Sequence, residues 1–465
     1  MRVDTRRLMK RLSQRARRAT WMLAVLAVVL TLTPEQAQAQ QARRITFDEA
    51  ISLALDQNYL LKRSASNVEL SSINVAQRKY NFLPDLRFSS NGGQSYGRTF
   101  DLTEGNLVNQ TINSLSSSFS SSINVFNGFG DVASLDQARL QLTANDLDYE
   151  RERQTVVFTV MRNYLDLIAT NELVRIREEN LTAQQQLLTQ IEEFVRVGQR
   201  ATADLYQQQA STATAEANLL DAERSYQLAE VALIQTLQLD PFGAYEFVVP
   251  AADSTALIPE QYDARTMLQN AFERRLDLQA AQYDIDAAEQ GVRVAKSGYW
   301  PSINFSLNTR SSYNDLAQDN FSDQFFDRNR NSSVGLSLSF PVFDRFFTRN
   351  SVQQARVQLN NAQLDMDNMR QNIALQVRQA YLDYLTDEKR LDVTAKQLRS
   401  AEQALEAEQE RYNVGVSTLV ELTQARAAYE QAAGDQLEAR YNFVFRKKLI
   451  EYYIGVLDPS AQLFQ

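Results

Sequence analysis

The sequence contains no cysteine and no histidine. Without cysteine there are no disulfides, thiolate metal sites or thiol nucleophiles, and nothing after a leader peptide to carry a lipid. Without histidine the commonest general base and the commonest metal ligand are missing. Carboxylates remain, but no acid–base constellation can be assembled from the sequence. The chain is therefore read as a non-enzyme with no cofactor and no metal site. Glycine and proline are scarce, 14 and 8 in 465 residues, so little interrupts helices. Beyond the first forty residues no apolar run is long enough for a spanning helix; a membrane protein made from this chain must cross as a β-barrel.

Residues 1–39 read as a signal peptide. Arg2, Arg6, Arg7, Lys10, Arg11, Arg15, Arg17 and Arg18 form a basic start, Trp21 to Leu32 an apolar stretch, and Ala37-Gln38-Ala39 a small-residue cleavage site before Gln40. Its removal takes away eight of the 48 basic and two of the 57 acidic side chains, leaving 40 − 55 = −15. Such a chain is a poor nucleic-acid binder.

The remainder is one unit written twice, residues 40–250 and 251–465. A shift of 217 positions lays Pro84 on Pro301, Val125-Phe126 on Val342-Phe343, Gln137-Ala138-Arg139 on Gln354-Ala355-Arg356, Tyr164-Leu165-Asp166 on Tyr381-Leu382-Asp383 and Val197-Gly198 on Val414-Gly415. Each copy reads helix, strand, loop, strand, very long helix, turn, long helix.

The strand segments alternate with period two. Ile303, Phe305 and Leu307 alternate with Ser302, Asn304 and Ser306, and Val334, Leu336, Leu338 and Phe340 with Ser333, Gly335, Ser337 and Ser339. In the first copy Leu86, Phe88, Leu115, Phe119, Ile123 and Val125 take the apolar places. The polar face is Ser, Asn and Gly rather than charge, and aromatics gather where strands meet helices: Tyr80 and Phe82, Phe126 and Phe129, Tyr299 and Trp300, Phe343, Phe346 and Phe347. This is the pattern of an outer-membrane barrel with an aromatic girdle, with Leu338 toward lipid and Ser337 toward the lumen.

A helix from about Asp131 to Val197 would be on the order of 100 Å long. Its stripe Val160, Leu167, Val174, Leu181, Leu188, Val195 repeats in the second copy as Val377, Tyr384, Leu391, Leu398, Leu405, Tyr412. Seven-residue spacing implies left-handed coiled-coil packing. The return helices carry Leu205, Leu219, Tyr226, Leu233 and Leu422, Tyr429, Phe443, Ile450. Gly198 and Gly415 end the outgoing helices. Four strands per chain cannot close a barrel, which needs about eight, but three chains supply twelve. The expected fold is a mixed α and β membrane protein: a trimeric twelve-stranded transmembrane β-barrel continued by a long periplasmic α-helical barrel, with an internal two-fold repeat.

The sequence resembles the TolC family of outer-membrane efflux proteins over about residues 45–459. The resemblance is carried by TFDEAISLALDQNY, by LPDL and WPSI, by VFNGFG and FPVFDRFF, and by the tip segments FVRVGQRATADLYQQQA and RYNVGVSTLVELTQARAAY. Where the family has a glycine pair after the second Pro-x-Phe, this chain has Asp344-Arg345-Phe346. The resemblance implies a homotrimer in the outer membrane of a Gram-negative-type bacterium. It implies docking to a periplasmic adaptor (membrane fusion) protein and an inner-membrane transporter, and opening by untwisting of the helical tips. It places a periplasmic gate at Asp204, Tyr412, Ser417, Glu421 and Gln424, with Asp204 and Glu421 as carboxylate rings, and adaptor contacts at Val197, Gly198, Val414, Gly415 and Val416. The function expected is a passive exit duct for tripartite efflux or type I secretion; the alternative is a periplasmic coiled-coil adaptor or structural protein without a pore.

Overall fold

A computed structural model describes residues 43–101, 105–248, 257–317 and 319–457. The expected signal peptide, residues 1–39, lies outside the described residues.

The chain opens with a short strand β1 (Arg43–Ile45) and two helices, α1 (Phe47–Gln57) and α2 (Tyr59–Tyr80). Strands β2 (Arg87–Asp101) and β3 (Asn106–Asn127) follow, then α3 (Gly130–Arg196) and the return helix α4 (Thr202–Thr236). After β4 (Tyr245–Phe247) come α5 (Ala264–Arg274), α6 (Leu276–Ser297), β5 (Ser302–Asn314), a π-helical turn at Asp323–Arg328, β6 (Asn331–Ser339), α7 (Phe347–Asn413) and α8 (Leu419–Tyr453). α3 and α7 are both 67 residues long, and α4 and α8 both 35. Each second-half helix begins 217 positions after its first-half counterpart, as Phe347 does after Gly130. At 1.5 Å per residue α3 and α7 each extend about 100 Å.

Two features were not read from the sequence. β1 and β4 pair in parallel as a two-stranded sheet, too short to leave a period in the sequence. The first helix of each half is broken in two. Asn58 ends α1 and caps α2, accepting from the backbone N–H of Leu60 at 2.9 Å and of Leu61 at 3.2 Å, and Arg275 occupies the matching break before α6.

The four long strands form one antiparallel sheet in the order β2-β3-β5-β6, so the two halves join at β3–β5. β2 has 15 residues and β3 has 22, and the outer part of β3, Asn106 to Asn113, is paired with β2 but lies beyond its register with β5. A β-bulge falls between Asn124 and Phe126 of β3. Val125 is the extra residue, so it leaves the alternation expected of it and Phe126 takes the place opposite Ile303.

α3 and α7 start alike. Gly128 and Phe129, and correspondingly Arg345 and Phe346, all have positive φ. The backbone N–H of Asp131 donates to Asn127 Oδ1 at 3.1 Å, and that of Thr348 to Asp344 Oδ2 at 2.7 Å. The missing glycine pair in the second half therefore does not change how the helix begins. Asp344 supplies the cap, and Arg345 and Phe346 bear the left-handed backbone that glycine adopts freely.

Three apolar clusters hold the helices together. One, around Val157, Val160, Tyr164 and Ile168, joins α1, α3, α4 and the β1–β4 sheet at mid-height. A second, around Ile373, Val377, Tyr384 and Phe443, joins α5, α6, α7 and α8. A third lies at the far end. The face α4 buries is narrower than its large residues suggest. Gln208, Ala215, Ala222 and Ala229 recur every seventh residue and are buried, with Ala432 and Ala439 as the α8 equivalents. Alanine brings the helices close, and Gln208 donates to Gln184 Oε1 across that seam at 2.7 Å.

Candidate functional site

Cross-strand register sorts the sheet into two faces. On one, Phe88 lies opposite Phe119, Ile123 opposite Phe305 and then Leu336, and Leu307 opposite Val334; beyond the bulge Phe126, Ile303 and Leu338 continue the row. On the other, Ser89, Ser118 and Arg310 align, as do Ser122, Ser306 and Gly335, and Asn124, Asn304 and Ser337. The apolar face is uncovered in one chain: Val334, Leu336 and Leu338 are 68–71% exposed. So large an exposed apolar face marks contact with lipid or another chain. β2 and β6 lie at the sheet's two edges, each hydrogen-bonded on one side only. The outer end of β5 carries aromatics that the sequence reading missed. Tyr313 packs on Phe321 (5.3 Å between ring centres) and Phe321 stacks on Phe325 (5.1 Å). Buried Gln324 pins this turn by donating to the carbonyls of Asn314 (3.0 Å) and Asp319 (2.7 Å).

At the other end, α3 and α7 reverse at Gly198 (φ 76°) and Gly415 (φ 80°). At each, the third residue past the helix (Gln199 and Val416) donates its N–H back five residues, to the carbonyls of Phe194 and Arg411. Val197, Gly198, Val414, Gly415 and Val416 are all exposed there. The two tips meet through Leu187 and Ile191 of α3, Tyr412 of α7, and Leu419 and Leu422 of α8. Between them is a cleft of about 190 Å³ lined by Gln190, Phe194, Arg200, Tyr412 and Asn413.

The five gate candidates fall into different environments. Tyr412 is 4% exposed, a member of the tip cluster, and its hydroxyl has no hydrogen-bond partner among the described residues. Burial pushes that hydroxyl up, Asp204 adds to the effect and Arg200 opposes it. Ser417 is buried and donates to Glu421 Oε2 at 2.9 Å; it also bonds Glu408. Glu421 is exposed but engaged, because it accepts from the Thr418 N–H at 2.8 Å while its own N–H donates to Thr418 Oγ1 at 3.3 Å. This capping box starts α8. The Thr418 and Ser417 hydrogen bonds hold the Glu421 carboxyl below its ordinary range. Asp204 is half-buried with Arg200 3.9 Å away, and Gln424 is exposed. Arg200 sits beside Asp204, whereas Arg411 pairs with Glu408 at 2.8 Å.

Two polar links tie the halves together further up. Glu430 of α8 bonds Arg177 of α3, and accepts from Asn180 at 2.8 Å. Above the mid-height cluster, buried Arg275 grips Asp277 with two hydrogen bonds of 2.6 and 3.0 Å, and Arg151 of α3 approaches the same carboxylate to 3.9 Å. Arg151 also lies 4.0 Å from the centre of the Tyr452 ring and donates to the Tyr452 carbonyl at 3.1 Å. Burial alone would raise the Asp277 carboxyl, but Arg275 and Arg151 together hold it below the usual carboxylate range.

The family described as outer membrane efflux protein matches residues 50–237 and 267–447. The outer membrane protein TolC of Escherichia coli K12 is 21% identical over 411 residues, covering 87% of this chain and 80% of that protein. The outer membrane efflux protein BepC of Brucella suis is 22% identical over 428 residues, covering 90% and 88%. Among solved structures, a membrane protein from Pseudomonas aeruginosa superposes with a TM-score of 0.77 at 18% identity, covering 88% of this chain and 92% of that one.

Proposed function

Since the chain belongs to the outer membrane efflux protein family, we infer that three copies close into one continuous duct, a passive exit path for cargo delivered by an inner-membrane transporter through a periplasmic adaptor. The observation that carries this reading is the sheet: four strands, one apolar face open to its surroundings, and unpaired edges on β2 and β6. Unpaired strand edges are not tolerated in lipid, and pairing β6 of one chain with β2 of the next leaves none. Three sheets give a barrel of twelve strands, wide enough to conduct.

The dimensions support placing the sheet in the bilayer. β5 has 13 residues between Trp300 at its inner end and the Tyr313–Phe321 pair at its outer end. At about 3.3 Å per residue and a tilt near 45°, that spans roughly 30 Å between two aromatic belts. The helix lengths repeated at a shift of 217 support the reading of residues 40–250 and 251–465 as two copies of one unit, which places matching helices around the whole ring.

In this reading the tips form the periplasmic entrance. Asp204, Glu421 and Gln424 supply polar groups around it, Tyr412 holds the two hairpins of a protomer together, and Ser417 ties α7 to α8 within the second hairpin through Glu408 and Glu421. Untwisting would part the Arg200–Tyr412 contact and the Arg177–Glu430 pair. The exposed ends Val197, Gly198, Val414, Gly415 and Val416 are the surface offered to an adaptor. A coiled-coil protein without a pore would leave the apolar sheet face unexplained. Reconstitution into planar bilayers tests the duct: discrete single-channel steps are expected, and protein that inserts without conducting overturns it.

A further inference from the structure

A cleft of about 270 Å³ lies where the sheet gives way to the helices, between the first turns of α3 and the last turns of α6. Its two walls are stripes at helical spacing. α6 contributes Arg293 and Lys296 and leads to Trp300; α3 contributes Phe129, Val132 and, further along, Asp136. Phe129, Val132 and Trp300 are exposed, at 65%, 47% and 58%.

The stripes are ordered along the axis. α6 runs toward the sheet and α3 away from it, so Phe129, Val132 and Trp300 occupy the sheet end. At 1.5 Å per residue, Lys296 lies about 6 Å and Arg293 about 10 Å further from the sheet than Trp300. Neither cation has an acidic partner among the described residues; Arg293 has only Gln290, at 3.4 Å. Asp136 is already held by Arg139 at 3.2 Å. An apolar, aromatic end toward the membrane and two uncompensated cations one to two turns beyond it match the layout of a glycerophospholipid, with acyl chains on the sheet side and phosphate in the interfacial layer.

We propose that this cleft binds one phospholipid of the periplasmic leaflet, its phosphate held by Arg293 and Lys296 and its acyl chains lying against Phe129, Val132 and Trp300. The assignment rests on the barrel reading, which sets the cleft at the membrane interface. Arg and Lys bind phosphate through charge-assisted hydrogen bonds, and the aromatic end suits the belt where rings meet headgroups. Bound there, the lipid would fill a seam between the two halves of the protomer.

Trp300 is the only tryptophan after residue 39, which makes it a built-in reporter. The experiment uses the full trimer in detergent micelles doped with phosphatidylglycerol carrying dibrominated acyl chains, which quench tryptophan on contact. Wild type should show a saturable quenching phase at low lipid mole fraction. In Arg293→Gln/Lys296→Gln the half-quenching mole fraction should rise about tenfold, the loss expected when charge-assisted phosphate contacts go. Arg293→Lys/Lys296→Arg should keep the wild-type curve, and unheated gels confirm the trimer in both. Superimposable curves for wild type and the double Gln variant overturn the site, because contact would then be that of an unselective girdle. Millimolar inorganic phosphate should leave the curve unchanged; relief of quenching by phosphate shows an anion pocket and overturns the lipid assignment. No quenching in either protein at any mole fraction would place Trp300 away from lipid and overturn the barrel-junction reading instead.

Discussion

The guanidinium of Arg200 lies 4.9 Å from the centre of the Tyr412 ring, so the first tip of each protomer reaches across and touches the second. The same guanidinium stands 3.9 Å from Asp204. Arg200 thus closes the gap between hairpins and partly neutralises the carboxylate proposed to ring the entrance.

Arg200→Ala should therefore do two things in single-channel recordings. With Asp204 uncompensated in all three protomers, cation preference should rise, since carboxylate rings favour cations. Block by divalent cations added on the tip side should tighten roughly fivefold, equivalent to about 1 kcal/mol of lost charge compensation at a partly exposed pair. Asp204→Ala in the same background should return the block to its wild-type strength. An Arg200→Ala channel with unchanged selectivity and block would take Asp204 off the conduction path.

Asp277 should be the costliest single carboxylate to remove. Arg275 and Arg151 are both largely buried around it, and Asp277→Ala would leave two guanidinium groups without their counter-charge, a loss on the order of 3–5 kcal/mol. The sign with pH follows from its lowered folded-state pKa. The stabilisation is present above the ordinary value of 3.8 and is lost as pH falls below it toward the folded value. Melting of the wild-type trimer should steepen below about pH 4, and in Asp277→Ala that component should be absent. Equal acid sensitivity in both proteins would argue against the pair.

The starts of the two long helices should respond oppositely to substitution. A Cβ on Gly128 would sit 2.5 Å from Trp300 Cβ and 2.6 Å from the Ser297 carbonyl oxygen, at φ 65°. Gly128→Ala should lower the melting temperature and the yield of folded trimer. Arg345 has φ 57° at the matching place. Arg345→Gly relieves a left-handed non-glycine residue, worth about 1 kcal/mol, set against some added unfolded-state entropy. A net rise in melting temperature is expected, and a fall would show that the Arg345 side chain contributes more than its backbone costs.

Much of this architecture is legible in the sequence, and the parts that are not have a common cause. Alternation in Ser302–Leu307 and Ser333–Ser339 places the strands because period two survives wherever one face is apolar. The missed bulge at Val125 needs the register of a partner strand, which local alternation does not contain. The helix lengths follow from missing proline and glycine, yet the break at Arg275 has no breaker residue to announce it. Seven-residue spacing found the packed columns, but attention to large side chains overlooked Ala215, Ala222 and Ala229, where closeness rather than bulk makes the contact. At the tips, Glu421 was legible as an acidic residue beside the entrance; its use as a helix cap depends on Thr418 three residues earlier.

Depth in the sheet should grade the cost of charge. Val334 lies mid-strand opposite Leu307, whereas Leu338 is next to the last residue of β6. Val334→Arg should cost roughly 2–4 kcal/mol per chain and Leu338→Arg less, because the penalty falls toward the interface. Ser337→Arg, opposite Asn304 on the polar face, should assemble nearly as well as wild type. Heat-modifiable trimer in outer membranes measures all three; equal assembly of Val334→Arg and Ser337→Arg would reverse the faces assigned to the sheet.

The claim on which the rest depends is that β6 of one chain pairs with β2 of another. Within a chain these strands are separated by β3 and β5, so at about 4.8 Å per strand they lie roughly 14 Å apart, beyond the reach of a disulfide. The chain has no cysteine of its own. Combining Ser89→Cys on β2 with cysteines placed one at a time along β6, from Ser332 to Ser339, and oxidising intact outer membranes tests the pairing directly. The account predicts that one or two adjacent β6 positions cross-link, giving a ladder of monomer, dimer and trimer that stops at three. A ladder running beyond three, or no cross-link at any β6 position, would contradict it.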